Sequence, residues 1–474
     1  MLLDIQQTRF VDEVRHGKTH VVLTGKAGTG KSTALCAAVN AAKAAGMDTL
    51  IVSPTAMAAS IHRDNGLESG TIHHALKWNP VREPMASKLL SVCGADTDWG
   101  GVPDQNRLLF IDECSMVGLW LFEILGRDLG DPARVFDGRR VVLVGDWAQL
   151  PPVVGPDEAR MAAVPRLHRF GPPDGCVFYH PMFRHRPPVS VVLEETHRAD
   201  SEWFASLDRL RECPARASLA SLGIVPNTGR ASENTVHMCF RRITAHARNS
   251  EKLARLPGKP HFLKLRDGET ELREGCEVIV TSNRASADYV NGSRAVFQGV
   301  NGAGEVVLDD GQTVRMLADG NWGGAYAGGN GEIDEKAALK GVRMASGCLR
   351  MYANLLESEA VKWLENLGKP ANARIAAAFG SGRIVLQPYF PILPGYALTV
   401  HKAQGMGLPS VAVEEDVFWD NAPARLPYVA LSRVSDGSRV SLSGFGAVSA
   451  YVRPDPLYAG VMARIMGWRK EAAK

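Results

Sequence analysis

An α/β fold with parallel sheets and more than one compact unit is what the sequence predicts, on three observations. Residues 20–39, HVVLTGKAGTGKSTALCAAV, run from an apolar segment through a glycine-rich turn into an alanine-rich helix, closed further on by Gly46. Three further apolar runs, TLIVSPT, RLLFIDE and RVVLVGD, each end in polar or charged residues. Parallel strands do this where their carboxyl ends face a ligand. At 474 residues the chain also exceeds what one core ordinarily organises, so about two to four units are expected.

Composition narrows the class. Hydrophobic residues at 45% and charged residues at 22% suit a soluble globular protein. With 54 basic and 51 acidic side chains the net charge is +3, so a polyanion is neither demanded nor excluded, and any basic surface must be local. Eight cysteines, at 36, 93, 114, 176, 213, 239, 276 and 348, form no CxxC pair. Reduced thiols fit that scatter better than a zinc site or a disulfide framework. The opening MLLDIQQTRF has an acid at position 4 and no apolar core, so it does not read as a secretory signal. No uncharged apolar run is long enough to cross a bilayer. A soluble, cytoplasmic protein is expected.

Taken in order, the first element is the loop Gly25-Lys26-Ala27-Gly28-Thr29-Gly30-Lys31-Ser32, which fits GxxxxGK[ST]. Such a loop wraps phosphates with backbone N–H groups, its lysine reaches the terminal two phosphates, and its serine holds magnesium. The expected nucleotide contacts are Gly25, Ala27, Gly28, Thr29, Gly30, Lys31, Ser32 and Thr33. The strand tips at Ser53-Pro54-Thr55, Asp112-Glu113 and Gly145-Asp146 should converge on this loop. Asp112 suits a direct or outer-sphere magnesium contact, and Glu113 suits orientation or deprotonation of a water, which favours hydrolysis. In GDWAQLPPV, Gln149 follows a buried strand, where its amide can sense a γ-phosphate. The rigid Leu150-Pro151-Pro152 can pass a shift to a neighbouring domain.

Further along, residues 263–315 alternate in strand fashion, with turn signals at Asp267-Gly268, Asn291-Gly292 and Asp310-Gly311. DGNWGGAYAGGNGE, residues 319–332, reads as a flexible loop whose Trp322 and Tyr326 offer faces for bases to stack on. In the helical stretch 334–367, Leu349, Tyr352, Leu356, Ala360 and Leu364 make one packing face. The tail RIMGWRKEAAK reads as a basic, frayed and solvated end. His62 and His74 read as ordinary structural histidines.

The order GKAGTGKST, SPTAMAA, TIHHAL, DECSM, GDWAQLPPV resembles the RecD/Pif-type (Dda-like) DNA helicases, in the 5′-to-3′ branch of helicase superfamily one. EVIVTSNRASADYVNGSRAVF, YALTVHKAQGMGL and YVALSRVSDGSRVSL continue the match in the family's order, to about residue 456. The resemblance implies two RecA-like P-loop NTPase domains: a first motor domain over 1–190, and a second over 191–262 and 390–474. It also implies a wedge insertion at roughly 77–106, with Trp78, Pro80, Pro84 and Trp99 as candidate elements, and an SH3-like β-barrel module with a helical extension over 263–389.

The cofactors it implies are ATP and Mg²⁺. Gln7 matches the adenine-reading glutamine, while Arg198 and Arg433 match arginines that the second domain turns toward the γ-phosphate. Such an arginine fork is worth on the order of 10³–10⁵ in rate in comparable phosphoryl transfers. Two departures stand out: Ala199 occupies a glutamine position of the family, and Arg425-Leu426 replaces its glycine-glutamine. Pro54, Thr55, Thr71, Ile72, His73, Asn291, Gly292, Thr399, His401 and Lys402 match the DNA track. Phosphate contacts of that kind grip a strand without reading its bases.

The resulting expectation is a monomeric helicase that moves 5′ to 3′ on single-stranded DNA and unwinds duplex or forked DNA in replication, recombination or repair. An RNA or RNA–DNA hybrid helicase shares the same ATP site, and so does an ATP-regulated DNA-loading subunit. A small-molecule kinase would share the loop but would have no use for a second arginine-bearing domain.

Overall fold

The computed structural model describes residues 3–77, 85, 88–89, 104–129, 135–154, 172, 175–197, 201–225, 235–265, 268–282, 289–319, 387–444 and 450–471. They fall into two compact units, Met1–Ser250 with Tyr396–Lys474, and Glu251–Gly395. Arg198, Trp78, Pro80, Pro84, Trp99, Trp322, Tyr326 and the 334–367 stretch lie outside the described residues, as does most of the expected wedge.

The first unit is organised by six parallel strands: β1 (Val21–Gly25), β2 (Asp48–Ser53), β3 (Ser69–Thr71), β4 (Asp104–Ile111), β5 (Arg139–Gly145) and β6 (Val189–Leu193). Their order is β3-β2-β4-β5-β1-β6. β1 is buried along its whole length, as a strand covered on both faces must be, and so it reads as an unbroken apolar run. Helices α1 (Ile5–His16) and α2 (Lys31–Ala44) cover one face. Phe10, Val14, Ala34, Leu35, Ala38, Val39 and Ala42 pack there against Leu23, Leu108, Phe110, Val142 and Val144. The strand residues alternate and the helical ones recur at four, so each periodicity delivers its apolar set to one interface.

α1 opens with a reciprocal cap. The Asp4 carboxylate accepts from Gln7 N at 2.7 Å, and Gln7 Oε1 accepts from Asp4 N at 3.2 Å. At the far end the fully buried Arg140 of β5 donates to Glu13 O, Val14 O and Thr19 O at 3.0–3.1 Å. Glu13 O also accepts from Gly17 N at 3.0 Å, and the guanidinium adds a second donor at the helix end while tying it to Thr19. Next to it, His20 Nδ1 accepts from Val141 N at 3.0 Å. Burial, with Arg140 and Arg186 nearby, lowers the His20 pKa to about 3.

The same unit contains a second parallel sheet, with strands in the order Ala397–Thr399, Val236–Cys239, Val411–Glu414, Val440–Ser443. The C-terminal segment corrects the expectation of a frayed tail: Pro456–Glu471 is a helix. Tyr458, Val461, Ile465 and Trp468, spaced three and four apart, are buried along it. The Trp468 ring lies 5.3 Å from Phe178 and 5.9 Å from Phe183. Its apolar stripe outweighs the basic character that suggested solvation.

The second unit is antiparallel. Pro260–Leu265 pairs with Gly268–Arg273. A five-stranded sheet runs Thr313–Val314, Val306–Leu308, Arg294–Val300, Glu277–Val280, Ile392–Pro394. Gly311, at φ 81°, turns one of its hairpins, and the Asp310 carboxylate accepts from Gln312 N at 3.0 Å. The strand reading of 263–315 therefore holds, and Ile392–Pro394 joins as a strand distant in sequence.

Candidate nucleotide site and nucleic-acid track

β1 hands the chain to a loop that only glycine completes. Gly28 and Gly30 take φ of 84° and 74°. A Cβ on Gly30 would also stand 2.5 Å from Gln7 Nε2. Lys31 Nζ donates to the carbonyls of Gly25 and Lys26, both at 2.8 Å, and so curls over the loop. Burial lowers its pKa, and Asp146 and Glu113 oppose that shift. Thr29 Oγ1 braces the turn by donating to Lys26 O at 3.0 Å. Ser32 is exposed and Thr33 half-buried in the first turn of α2, where no side chain caps the helix start. Gln7 lies against the loop, 3% exposed, and its Nε2 donates to Thr29 O at 3.2 Å. Both ends of its amide are thus engaged by the α1 cap and the loop.

β4 delivers Asp112, 8% exposed, whose N–H donates to Val52 O at 3.0 Å. One carboxylate oxygen accepts from Glu113 N at 2.9 Å, and the other meets His62 Nε2 at 2.6 Å. His62 comes from α3 (Ala56–Asp64), is fully buried, and has Cys36 Sγ 3.9 Å from its Nδ1. Burial alone would lower its pKa, but the Asp112 hydrogen bond and Cys36 prevail and raise it to about 9. Glu113 holds a left-handed φ of 50°, a conformation that costs of order 1–3 kcal/mol and clusters at functional sites. Its Oε2 is buried with no hydrogen-bond partner among the described residues. Burial, then the Asp112 charge, raise the Glu113 pKa, with Lys31 and Arg433 pulling the other way.

These groups fit magnesium. The Ser32 hydroxyl, the Asp112 carboxylate and the orphaned Glu113 oxygen are hard donors suited to an ion that keeps waters and substrate phosphates. Among the described residues no cluster of three or more His, Cys, Asp or Glu forms an all-protein cage.

The 396–474 segment reaches this site directly. Tyr428 Oη donates to Asp146 Oδ2 at 2.5 Å and accepts from Ala27 N at 3.3 Å. Arg211 Nη2 stands 3.2 Å from the other Asp146 oxygen. Burial would raise the Asp146 pKa, but Arg211 and Lys31 hold it below the usual carboxylate value. Gln149, 6% exposed, accepts at Oε1 from Gln404 Nε2 at 3.2 Å and at its carbonyl from Arg425 Nη1 at 3.0 Å. Arg425 also pairs with Asp455, and Lys26 of the loop pairs with Asp208. Arg433 is buried; its Nε donates to Val429 O and its Nη2 to Ser432 Oγ, both at 2.9 Å. His197, the neighbour of Arg198, donates from N to Gly28 O at 3.0 Å.

Sequence reading placed Asp146 at the loop without giving it a part, and missed Tyr428, Arg211, Gln404 and the role of His62. Tyr428 and Asp146 sat inside quoted motifs without an assigned part. Arg425 was visible only as a departure from a pattern. His62 carried no signal, because a lone histidine on a short helix is ordinarily structural. It is indeed buried and hydrogen-bonded, and its partner is Asp112.

The candidate track residues of the first unit stand at carboxyl ends of parallel strands. Ser53 and Thr71 are in register across β2 and β3, so Pro54-Thr55 and Ile72-His73 emerge side by side. Thr55 Oγ1 caps α3, accepting from Ala58 N at 3.2 Å, and Thr71 Oγ1 accepts from His74 N at 3.2 Å. Burial lowers the pKa of both His73 and His401, so both are neutral at pH 7. Thr399 ends its strand, with His401 half-buried and Lys402 exposed just beyond. Asn291 and Gly292 belong to the second unit, where Gly292 takes φ 103° and its N–H donates to Val280 O at 2.8 Å.

Comparison with known proteins agrees with this geometry. A family model described as an AAA domain matches residues 2–166. The ATP-dependent DNA helicase PIF7 of Trypanosoma brucei brucei is 24% identical over 94% of this chain and 46% of its own length. Human ATP-dependent DNA helicase PIF1 is 24% identical over 96% of this chain and 62% of its own. The RecD2 DNA helicase of Deinococcus radiodurans is 34% identical over 32% of this chain and 18% of its own. The chain therefore spans about half to three fifths of the length of the PIF7 and PIF1 relatives it matches. Among solved structures, a Pif1 structure described as the basis for DNA unwinding at forked dsDNA superposes with TM-score 0.66 at 20% identity, covering 99% of this chain and 98% of that one. Bacteroides Pif1 bound to ssDNA superposes with TM-score 0.63 at 18% identity, covering 100% and 98%. At these identities the structures establish a shared fold with two parallel sheets. By motif order, relatives and fold, the chain is similar to the RecD/Pif-type helicases of superfamily one.

Proposed function

We propose that the chain is an ATP-dependent DNA helicase that moves 5′ to 3′ on single-stranded DNA and separates duplexes, acting in replication, recombination or repair. One observation carries the reading. The phosphate loop, Asp112-Glu113 and Gln149 end the strands of one parallel sheet, and Tyr428, Arg425 and Gln404 from the segment of the other bond to that same loop and to Gln149. A nucleotide between such partners changes contacts on both sides at once, which a phosphotransferase acting on a small acceptor would not need. The relatives named as ATP-dependent DNA helicases, and the Pif1 complexes with ssDNA and with ADP-AlF3, support DNA and ATP as ligands.

In this reading Lys31 and the loop amides bind the β- and γ-phosphates. Glu113 orients the attacking water, Gln149 senses the γ-phosphate, and Arg433 and Arg198 stabilise the transition-state charge. Ser32 and Asp112 would hold Mg²⁺, which when bound neutralises phosphate charge. The antiparallel unit serves as the SH3-like insertion and contributes Asn291 and Gly292 to the track. Pro54, Thr55, His73, Thr399, His401 and Lys402 supply the remaining grips, and the protein acts as a monomer.

The test is ATPase activity with and without single-stranded DNA, run beside strand displacement on forks carrying only a 5′ or only a 3′ loading tail. Many-fold stimulation by DNA and unwinding from the 5′ tail are expected. ATPase indifferent to DNA, or stimulated by RNA alone, would overturn the proposal.

A further inference from the structure

We infer that His62 is the positioning residue for Asp112, holding the carboxylate of the proposed magnesium site in a single orientation. The inference rests on the reading of Asp112 as the carboxylate beside the metal. A carboxylate's terminal torsion is broad and roughly two-fold, so a side chain tied at one oxygen still swings. Asp112 is tied at both: Glu113 N reaches Oδ1 at 2.9 Å and His62 Nε2 reaches Oδ2 at 2.6 Å. The first tie comes from the adjacent residue and travels with the strand end. His62 supplies the independent one, from a different element.

The surroundings give His62 little other employment. It is fully buried, so it faces no solvent. Its remaining nitrogen faces Cys36 Sγ of α2 at 3.9 Å, and α2 is the helix that carries Lys31 and Ser32 at its start. The imidazole thus sits between the helix of the phosphate loop and the end of β4, bonded toward both. Glu113 beside it keeps an unpartnered oxygen and a left-handed backbone. The like charge of that neighbouring acid would push an unsecured Asp112 out of line. Carboxylates that ligate metals are themselves ordinarily hydrogen-bonded, and loss of that outer partner costs about 10–100-fold in metal affinity or activity. α3 is capped by Thr55, one of the proposed DNA grips, so the element that fixes Asp112 also starts beside the proposed track.

The test uses the full chain with ADP and two substitutions. Mn²⁺ binding to the ADP-loaded protein is followed by the electron paramagnetic resonance signal of free Mn²⁺, and ADP affinity is measured separately in EDTA. His62→Leu removes the donor at similar volume, whereas His62→Gln keeps an N–H for Asp112. His62→Leu should weaken Mn²⁺ binding about 10–100-fold, with metal-free ADP affinity unchanged within twofold, and His62→Gln should recover most of the loss. Unaltered Mn²⁺ binding in His62→Leu overturns the inference. So does an equal loss of metal-free ADP affinity, which marks a merely structural histidine, or a His62→Gln protein as weak as His62→Leu. A parent protein that binds ADP equally with and without Mn²⁺ overturns the metal-site reading itself, and is recognised as that failure because no substitution is involved.

Discussion

Lys31 shows what a single side chain must do before any nucleotide arrives. Its ammonium already spans the carbonyls of Gly25 and Lys26, so the loop is held in shape for phosphate by the group that will bind it. Lys31→Ala should therefore abolish ATP hydrolysis while DNA affinity, measured by fluorescence anisotropy, stays within about threefold, since its ammonium is bonded to the phosphate loop. Persisting unwinding by that variant would contradict the assignment. His401 is the contrasting case, a neutral, half-buried imidazole just past a strand end in the second sheet. His401→Ala should lower DNA-stimulated ATPase several-fold and leave basal ATPase unchanged; an equal fall in both rates removes it from the track. Lys31, Asp112, Glu113 and Gln149 were legible because the phosphate loop and strand-end acids keep fixed local spacing. The His62 contact to Asp112, fifty residues apart, was not, because only the packing of α3 beside β4 creates it.

At the scale of elements, the seam joining α1, β1 and β5 is closed by polar groups rather than by apolar contact alone. Arg140 donates to three carbonyls there, and Arg140→Met removes all three bonds, including the buried one to Val14 O. The cost should be about 3 kcal/mol, read as a lower urea midpoint for the first unit. His20 makes the same seam sensitive to acid. Its folded pKa of about 3 lies below the ordinary 6.5. Above pH 6.5 both folded and unfolded chains hold it neutral, and its contribution is fully present. As pH falls from 6.5 toward 3, the unfolded chain takes up a proton that the folded chain refuses, and stability drops by up to about 1.4 kcal/mol per pH unit. Melting curves from pH 7 to pH 4 should show the midpoint of His20→Gln falling less steeply than that of the parent. Parallel slopes would mean that His20 titrates normally. Strands β1, β2, β4 and β5 were readable from their apolar runs, whereas β3, a Ser-Gly-Thr segment, carries none. The C-terminal helix was misread because the basic residues of RIMGWRKEAAK drew more weight than its Ile465 and Trp468, which pack inward.

For the first unit as a whole, two parallel sheets meet at the candidate nucleotide site, and Tyr428 is the most economical link between them. Its hydroxyl bridges Asp146, 282 residues away, and the amide of Ala27 in the phosphate loop, 401 residues away. No local pattern could reveal such a bridge, although the order of the motifs revealed that two domains would be present to make it. Asp146 is wholly buried and keeps its charge through Arg211, Lys31 and this hydroxyl. In the proposed function a phosphate at the loop would compete with Tyr428 for the Ala27 N–H, and nucleotide binding at the first sheet would then be felt on the helix Leu426–Leu431, which leads to Arg433. Tyr428→Phe keeps the ring in its buried place and removes only the bridge. Nucleotide affinity should then stay within about threefold, because the loop loses a competitor and no phosphate ligand. ATPase stimulation by single-stranded DNA should fall about tenfold, a loss of roughly 1.4 kcal/mol of coupling, while the basal rate changes little. Rates measured with and without DNA at saturating ATP decide it. Equal losses in both would make Tyr428 a packing residue, and two unaltered rates would leave Arg425 and Gln404 as the connection between the sheets.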